Sequence, residues 1–152
     1  MIEGIQNHTP ELMVIDEIGR PPEVEAARTC RARGVRMIAI AHGDLRKLLK
    51  NKQLRGLVGG VESVTLGDAA AKEDVKRRGA PAGAVDKVRA QRAGSPIFDV
   101  IVELRRGEPH EWRIVMNSAR AVDQILEGGN YASQRRTRDP ATGELVLELE
   151  QA

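Results

Sequence analysis

The chain has 152 residues, 41% apolar and 30% charged, enough for one globular domain with a modest core. Its formal charge of +2, with the signs interleaved, argues against a dedicated nucleic-acid binder or a membrane-surface protein. No apolar run approaches the ~18 residues of a membrane span, and the N-terminus has neither signal-peptide nor transit-peptide character.

Met1–His8 reads as the last turns of a helix, stopped before Pro10. Leu12–Ile15 is a continuous apolar run between Pro10 and Gly19, which predicts a strand buried on both faces, of the parallel-sheet type. Such a strand cannot hold charge in its middle, so Asp16 and Glu17 belong at its carboxyl end, where open α/β sheets bind ligands. Two adjacent acids there suit nucleotide hydrolysis. The first carboxylate holds Mg²⁺ through its water shell, and the second polarises the attacking water, the Walker B arrangement. Apolar runs ending in Asp-Glu also close ordinary strands.

Pro21-Pro22 suits a helix start, Glu23 and Glu25 favour its positive end, and Arg28, Arg31 and Arg33 its negative end before Gly34. Cys30, the single cysteine, excludes an internal disulfide and reads as a small buried hydrophobe on that helix. Val35–Ala41 predicts a second buried strand ending at His42-Gly43, and Asp44 then caps a helix with Leu45, Leu48 and Leu49 on one face. Strand, helix, strand, helix is the grammar of a parallel α/β sheet.

Val61–Leu66 is a third strand after Gly59-Gly60, followed by a polar helix over 69–78, a Pro/Gly loop over 79–83 and an exposed strand over 87–92. Phe98–Leu104 and Glu111–Met116 flank the turn Arg106-Gly107-Glu108-Pro109 and predict an antiparallel hairpin. Asn117 or Ser118 caps a last helix bearing Ala119, Val122, Ile125 and Leu126, closed by Gly128-Gly129. The division expected is a domain over 1–129 and a flexible basic tail over 130–152. In that tail, 130–143 is a mobile linker and Glu144–Glu150 a short strand.

Several segments form an ordered series: Gln6–Glu11, Pro21–Thr29, Arg33-Gly34-Val35, Ala41-His42-Gly43, Leu57–Val61 and Val64–Asp68. Over residues 1–127 this series resembles the P-loop ATPases related to stage III sporulation protein AA and their plastid and cyanobacterial relatives. It is similar, more distantly, to the RecA-like secretion ATPases. The resemblance implies a partial RecA-like or AAA-type P-loop NTPase core, followed by an antiparallel hairpin and helix. It implies Asp16 as the metal-linked acid, Glu17 as the catalytic base, and His42 at the end of a sensor strand facing the γ-phosphate. Ile40 stands where the family carries a hydroxyl residue.

The chain contains no G-x-x-x-x-G-K-S/T loop and not even a Gly-Lys dipeptide. In the family that loop precedes the Walker B strand, so the chain is expected to begin part-way through the domain. Its strand would lie between the sensor strand and Val61–Leu66. ATP and Mg²⁺ are then ligands of the complete domain only, and the chain is an ATPase only if a P-loop segment comes from elsewhere. An isolated chain should self-associate through an open sheet edge or await a complementing segment. The compartment implied is cytoplasm or plastid stroma. The alternative, from another class, is a non-catalytic interaction module descended from such an ATPase.

Other residues carry two readings. His42 can donate to a phosphate or cap a strand against a local carbonyl. Arg77-Arg78, Arg105-Arg106 and Arg135-Arg136 read as solvated surface, with nucleic acid the weaker alternative and no arginine finger assignable. Trp112 reads as a sheet anchor rather than a stacking platform, and Gly59-Gly60 as the approach to a strand rather than a phosphate cradle.

Overall fold

A computed structural model describes residues 10–68, 71, 73 and 88–152. The helix expected over 69–78, the loop over 79–83 and the N-terminal helical turns fall outside the described residues, apart from Ala71 and Glu73, which are helical. The architecture is mixed α/β, with one parallel strand pair and two antiparallel sheets.

Strand β1 (Leu12–Ile15) pairs in parallel with β2 (Arg36–Ala39), Leu12 opposite Arg36 and Ile15 opposite Ala39. Helix α1 (Pro21–Ala32) makes the crossover between them, with Pro21 and Pro22 in its first turn. Glu23 reaches back to accept from the Gly19 and Arg20 N–H groups at 2.8 and 3.0 Å. The Gly19 bond leads in holding its carboxyl below the usual carboxylate range. Val24, Ala27 and the fully buried Cys30 line the inner face of α1, and burial pushes the Cys30 thiol up. Helix α2 (Leu45–Lys50) follows, its start capped by Asp44, whose side chain accepts from the Lys47 N–H at 2.8 Å.

A 3₁₀ turn (Arg55–Val58) leads to β3 (Glu62–Thr65), which pairs antiparallel with β4 (Val88–Gln91). Gly59 explains the double glycine. Its φ is +101°, and a Cβ there would lie 2.6 Å from the Gly94 carbonyl oxygen. That is close packing of the approach to β3 against 92–94, and it matches the reading made from sequence.

The hairpin expected around residues 106–109 is present as β5 (Ile101–Leu104) and β6 (Glu111–Val115), with Gly107 at φ +87° in the turn. Helix α3 (Ser118–Leu126) is capped by Asn117, which accepts from the Arg120 N–H at 2.9 Å. One apolar cluster joins Leu45, Leu49, Val58, Val115, Val122 and Tyr131; a second joins Ile18, Val24, Ala27, Leu54, Leu57 and Ile97. No helix among the described residues is long and apolar enough to cross a membrane.

Two expectations are corrected. Residues 132–138 are not a linker. They form β7 (Ala132–Arg138), an inner strand between β6 and β8 (Leu145–Gln151) in the order β5-β6-β7-β8. Its polar side chains are tied across the ladder, Arg135 to Glu148 and Ser133 to Glu150. Nor is β1 buried on both faces. Met13 and Ile15 turn inward, but Leu12 and Val14 are 50% and 71% exposed, and Ile38 and Ile40 each 58%. Helix α1 packs on one face of the parallel pair, and the apolar side chains on the other are half or more exposed.

Candidate functional site at the carboxyl ends of the parallel strands

The parallel pairing continues past the strand ends. The Ile40 N–H donates to the Ile15 carbonyl at 3.3 Å, and the Ile18 N–H to the Ile40 carbonyl at 2.8 Å. Ile18, 1% exposed, anchors this crossing in the core. The two chain segments therefore leave the sheet side by side. Glu17 Oε1 lies 3.3 Å from His42 Nε2, with the side chains 55% and 85% exposed. Asp16, exposed, precedes Glu17 on the same edge. The structure thus brings two of the three residues read from sequence, Glu17 and His42, into contact.

Gly43 at φ +99° turns the chain from His42 into the Asp44 cap. Just beyond, the Leu45 N–H donates to Glu103 Oε1 at 2.8 Å. Sequence reasoning missed Glu103. Its side chain is only 8% exposed and also accepts from the Tyr131 hydroxyl and from Arg113, each at 3.3 Å. Arg113 in turn pairs with Glu150. Burial first, then the Glu103 carboxylate, push the Tyr131 phenol up to about 12. The available signal was a lone acid on the inward side of an alternating apolar strand, since Ile101 and Glu103 share the face that meets the core.

A cavity of about 120 Å³ opens between the His42 turn and β5, lined by Ala41, His42, Gly43, Asp44, Val102 and Glu103. A longer groove of about 530 Å³ continues along β2, with Arg36, Met37 and Ile38 on one side and Ile97, Phe98 and Val100 on the other. β2 borders this groove opposite the segment 97–100 that leads into β5, and β2 and β5 do not pair with each other. Both inward and outward residues of β2 line it, so a strand edge rather than a face borders the space. Arg31 fixes the opposite wall by donating to the Ile97 carbonyl at 2.7 Å and to Asp99 Oδ1 at 3.1 Å.

These residues fit only part of a Mg·ATP site. Asp16, Glu17 and His42 present carboxylate and imidazole groups, yet no group of three or more His, Cys, Asp or Glu able to hold a metal ion exists among the described residues. No sequence for a phosphate-cradling loop is present. Of the paired arginines, Arg105 and Arg106 lie exposed in the hairpin turn, and Arg135 is engaged with Glu148. Half-buried Trp112 lies opposite Leu104 and Arg136 in the ladder.

The chain is similar to "Uncharacterized protein ycf45". With that protein from Porphyra purpurea it is 39% identical over 137 residues, 90% of this chain but 22% of the relative. With that of Cyanidium caldarium it is 38% identical over 150 residues, 98% of this chain and 41% of the relative. The Arabidopsis thaliana "Protein SEEDLING PLASTID DEVELOPMENT 1" is 42% identical over 129 residues, 84% of this chain and 17% of the relative. The chain therefore spans less than half the length of these curated relatives. No family model and no solved structure matches it.

Proposed function

We propose that the chain is the C-terminal half of a P-loop ATPase with a RecA-like core, supplying hydrolytic residues to a nucleotide whose phosphates another segment holds. The observation that carries this reading is the contact between Glu17 and His42 at the carboxyl ends of adjacent parallel strands. In that role Glu17 accepts a proton from the attacking water and His42 orients the water or a phosphate oxygen. Asp16 would hold a metal ion through its water shell. Glu17 and His42 are mostly solvent-exposed, so they gain catalytic force only when a further segment closes over them and excludes water.

The groove along β2 and the bare outer face of the parallel pair support a missing neighbour, and the much greater length of the relatives accommodates one. That same bare face favours a second reading, an interaction module that docks a partner without hydrolysis. A plastid or cytoplasmic location goes with either reading, the plastid being named in one relative. Calorimetric titration of Mg·ATP into the 152-residue chain tests the division of labour. The expected result is weak binding and background hydrolysis. Micromolar affinity with Glu17-dependent turnover would show that the chain needs no other segment.

A further inference from the structure

At the end of α2 remote from His42 lies an open depression of about 300 Å³. Its floor is aliphatic, made by Leu49, Val61, Ile125 and Leu126, and its rim is cationic, made by Arg46, Lys50, Lys52 and Arg55. Among the described residues, no acidic side chain lines it.

The carboxylates on the flanking elements are already engaged. On α3, Asp123 pairs with Arg92; just beyond that helix, Glu127 pairs with Arg89; and on β3, Glu62 accepts from Gln91. Arg46 is held in place by donating to the Gly129 and Ala152 carbonyls at 3.1 Å each, with its guanidinium over the Tyr131 ring. Among the described residues, Lys50, Lys52 and Arg55 have no acidic partner. A helix C-terminus accounts for one such cation, Lys50, through the dipole. It does not account for Lys52 and Arg55, which lie beyond that helix, or for an apolar floor beneath them.

We propose that this depression docks an acidic segment of a partner protein. An apolar side chain sits on the Leu49–Ile125 floor, and flanking carboxylates meet Lys50, Lys52 and Arg55. Charge complementarity selects an anion, and the floor selects one with aliphatic or aromatic substance to bury. Nucleic acid fits less well. Among the described residues no aromatic side chain lines the depression for base stacking, and a phosphate backbone would leave the floor wet. The inference is independent of the nucleotide reading, because it uses none of Asp16, Glu17 and His42.

Fluorescence anisotropy on the full chain tests it with three labelled probes: a short peptide alternating glutamate and leucine, the same peptide with glutamine for glutamate, and an oligothymidylate of matched charge. The acidic peptide should bind and weaken with added salt, with the glutamine peptide about tenfold weaker or worse. Lys50→Glu combined with Lys52→Glu should weaken the acidic peptide about tenfold, and the paired glutamine variants by less. Both lysines are exposed, so unchanged circular dichroism is expected of each variant. Failure of the acidic peptide to bind, indifference to the lysine variants, or tighter binding of the oligothymidylate would each overturn the proposal.

Discussion

Replacing Glu103 by leucine tests how firmly the four-stranded sheet holds the turn that carries His42. The carboxylate is almost enclosed and accepts from three donors, the Leu45 N–H at 2.8 Å and the Tyr131 hydroxyl and Arg113 at 3.3 Å each. Leucine leaves all three without that acceptor. Arg113 keeps Glu150, so its charge is not stranded, and the ~3–5 kcal/mol typical of a broken buried pair is an upper bound. Two orphaned neutral donors cost about 1–3 kcal/mol each. A loss of roughly 3 kcal/mol is therefore expected for Glu103→Leu, and about 1 kcal/mol for Glu103→Gln, whose carbonyl keeps part of the network. At about 2–4 °C per kcal/mol for a domain of this size, Tm falls roughly 6–12 °C and 2–4 °C respectively. Urea unfolding at neutral pH, with thermal melts in parallel, measures both. A leucine variant within about 0.5 kcal/mol of the parent would refute the idea that Glu103 ties the sheet to α2.

Tyr131 is the only tyrosine, so phenolate absorbance reports on it alone. Its folded value near 12 lies above the ordinary ~10, so the stability it contributes is complete below pH ~10 and is lost as pH rises through about 12. The folded chain should show no tyrosine transition near pH 10, and one that appears there would contradict the buried network. Gly59→Ala should cost about 1–3 kcal/mol in urea unfolding, because a Cβ at φ +101° meets the Gly94 carbonyl at 2.6 Å; a neutral outcome would contradict that close approach. Ile38→Lys places a charge on the bare outer face, where the side chain is already 58% exposed. It should change stability by less than about 0.5 kcal/mol while shifting light-scattering mass toward monomer; unchanged association would exonerate that face.

Much of the fold was legible because its signals are local. The hairpin follows from alternating strands around Arg106–Pro109, and α3 from Asn117 before an amphipathic run. The β1-α1-β2 unit follows from apolar runs bounded by Pro and Gly. β7 escaped because Ser133-Gln134-Arg135-Arg136 has no apolar period; backbone pairing and cross-strand contacts such as Arg135 to Glu148 hold it, and hydropathy does not register those. The bare face of β1 and β2 escaped for the opposite reason. Apolarity on both sides of Leu12–Ile15 and Val35–Ala41 says what those strands could bury, not what is there to cover them. At the site, Glu17 and His42 could be read from their strand ends. Glu103 could not, because its partners Leu45, Arg113 and Tyr131 are distant in sequence.

In the proposed function, Glu17 is the base of a hydrolytic site completed from outside these residues. The most direct measurement joins the chain to a segment carrying the G-x-x-x-x-G-K-S/T loop, as in a longer gene product, and compares Mg·ATP binding and turnover with Glu17→Gln. The amide should keep nucleotide affinity, because shape is retained, and lose turnover, because the proton acceptor is gone. Normal hydrolysis by Glu17→Gln would contradict it.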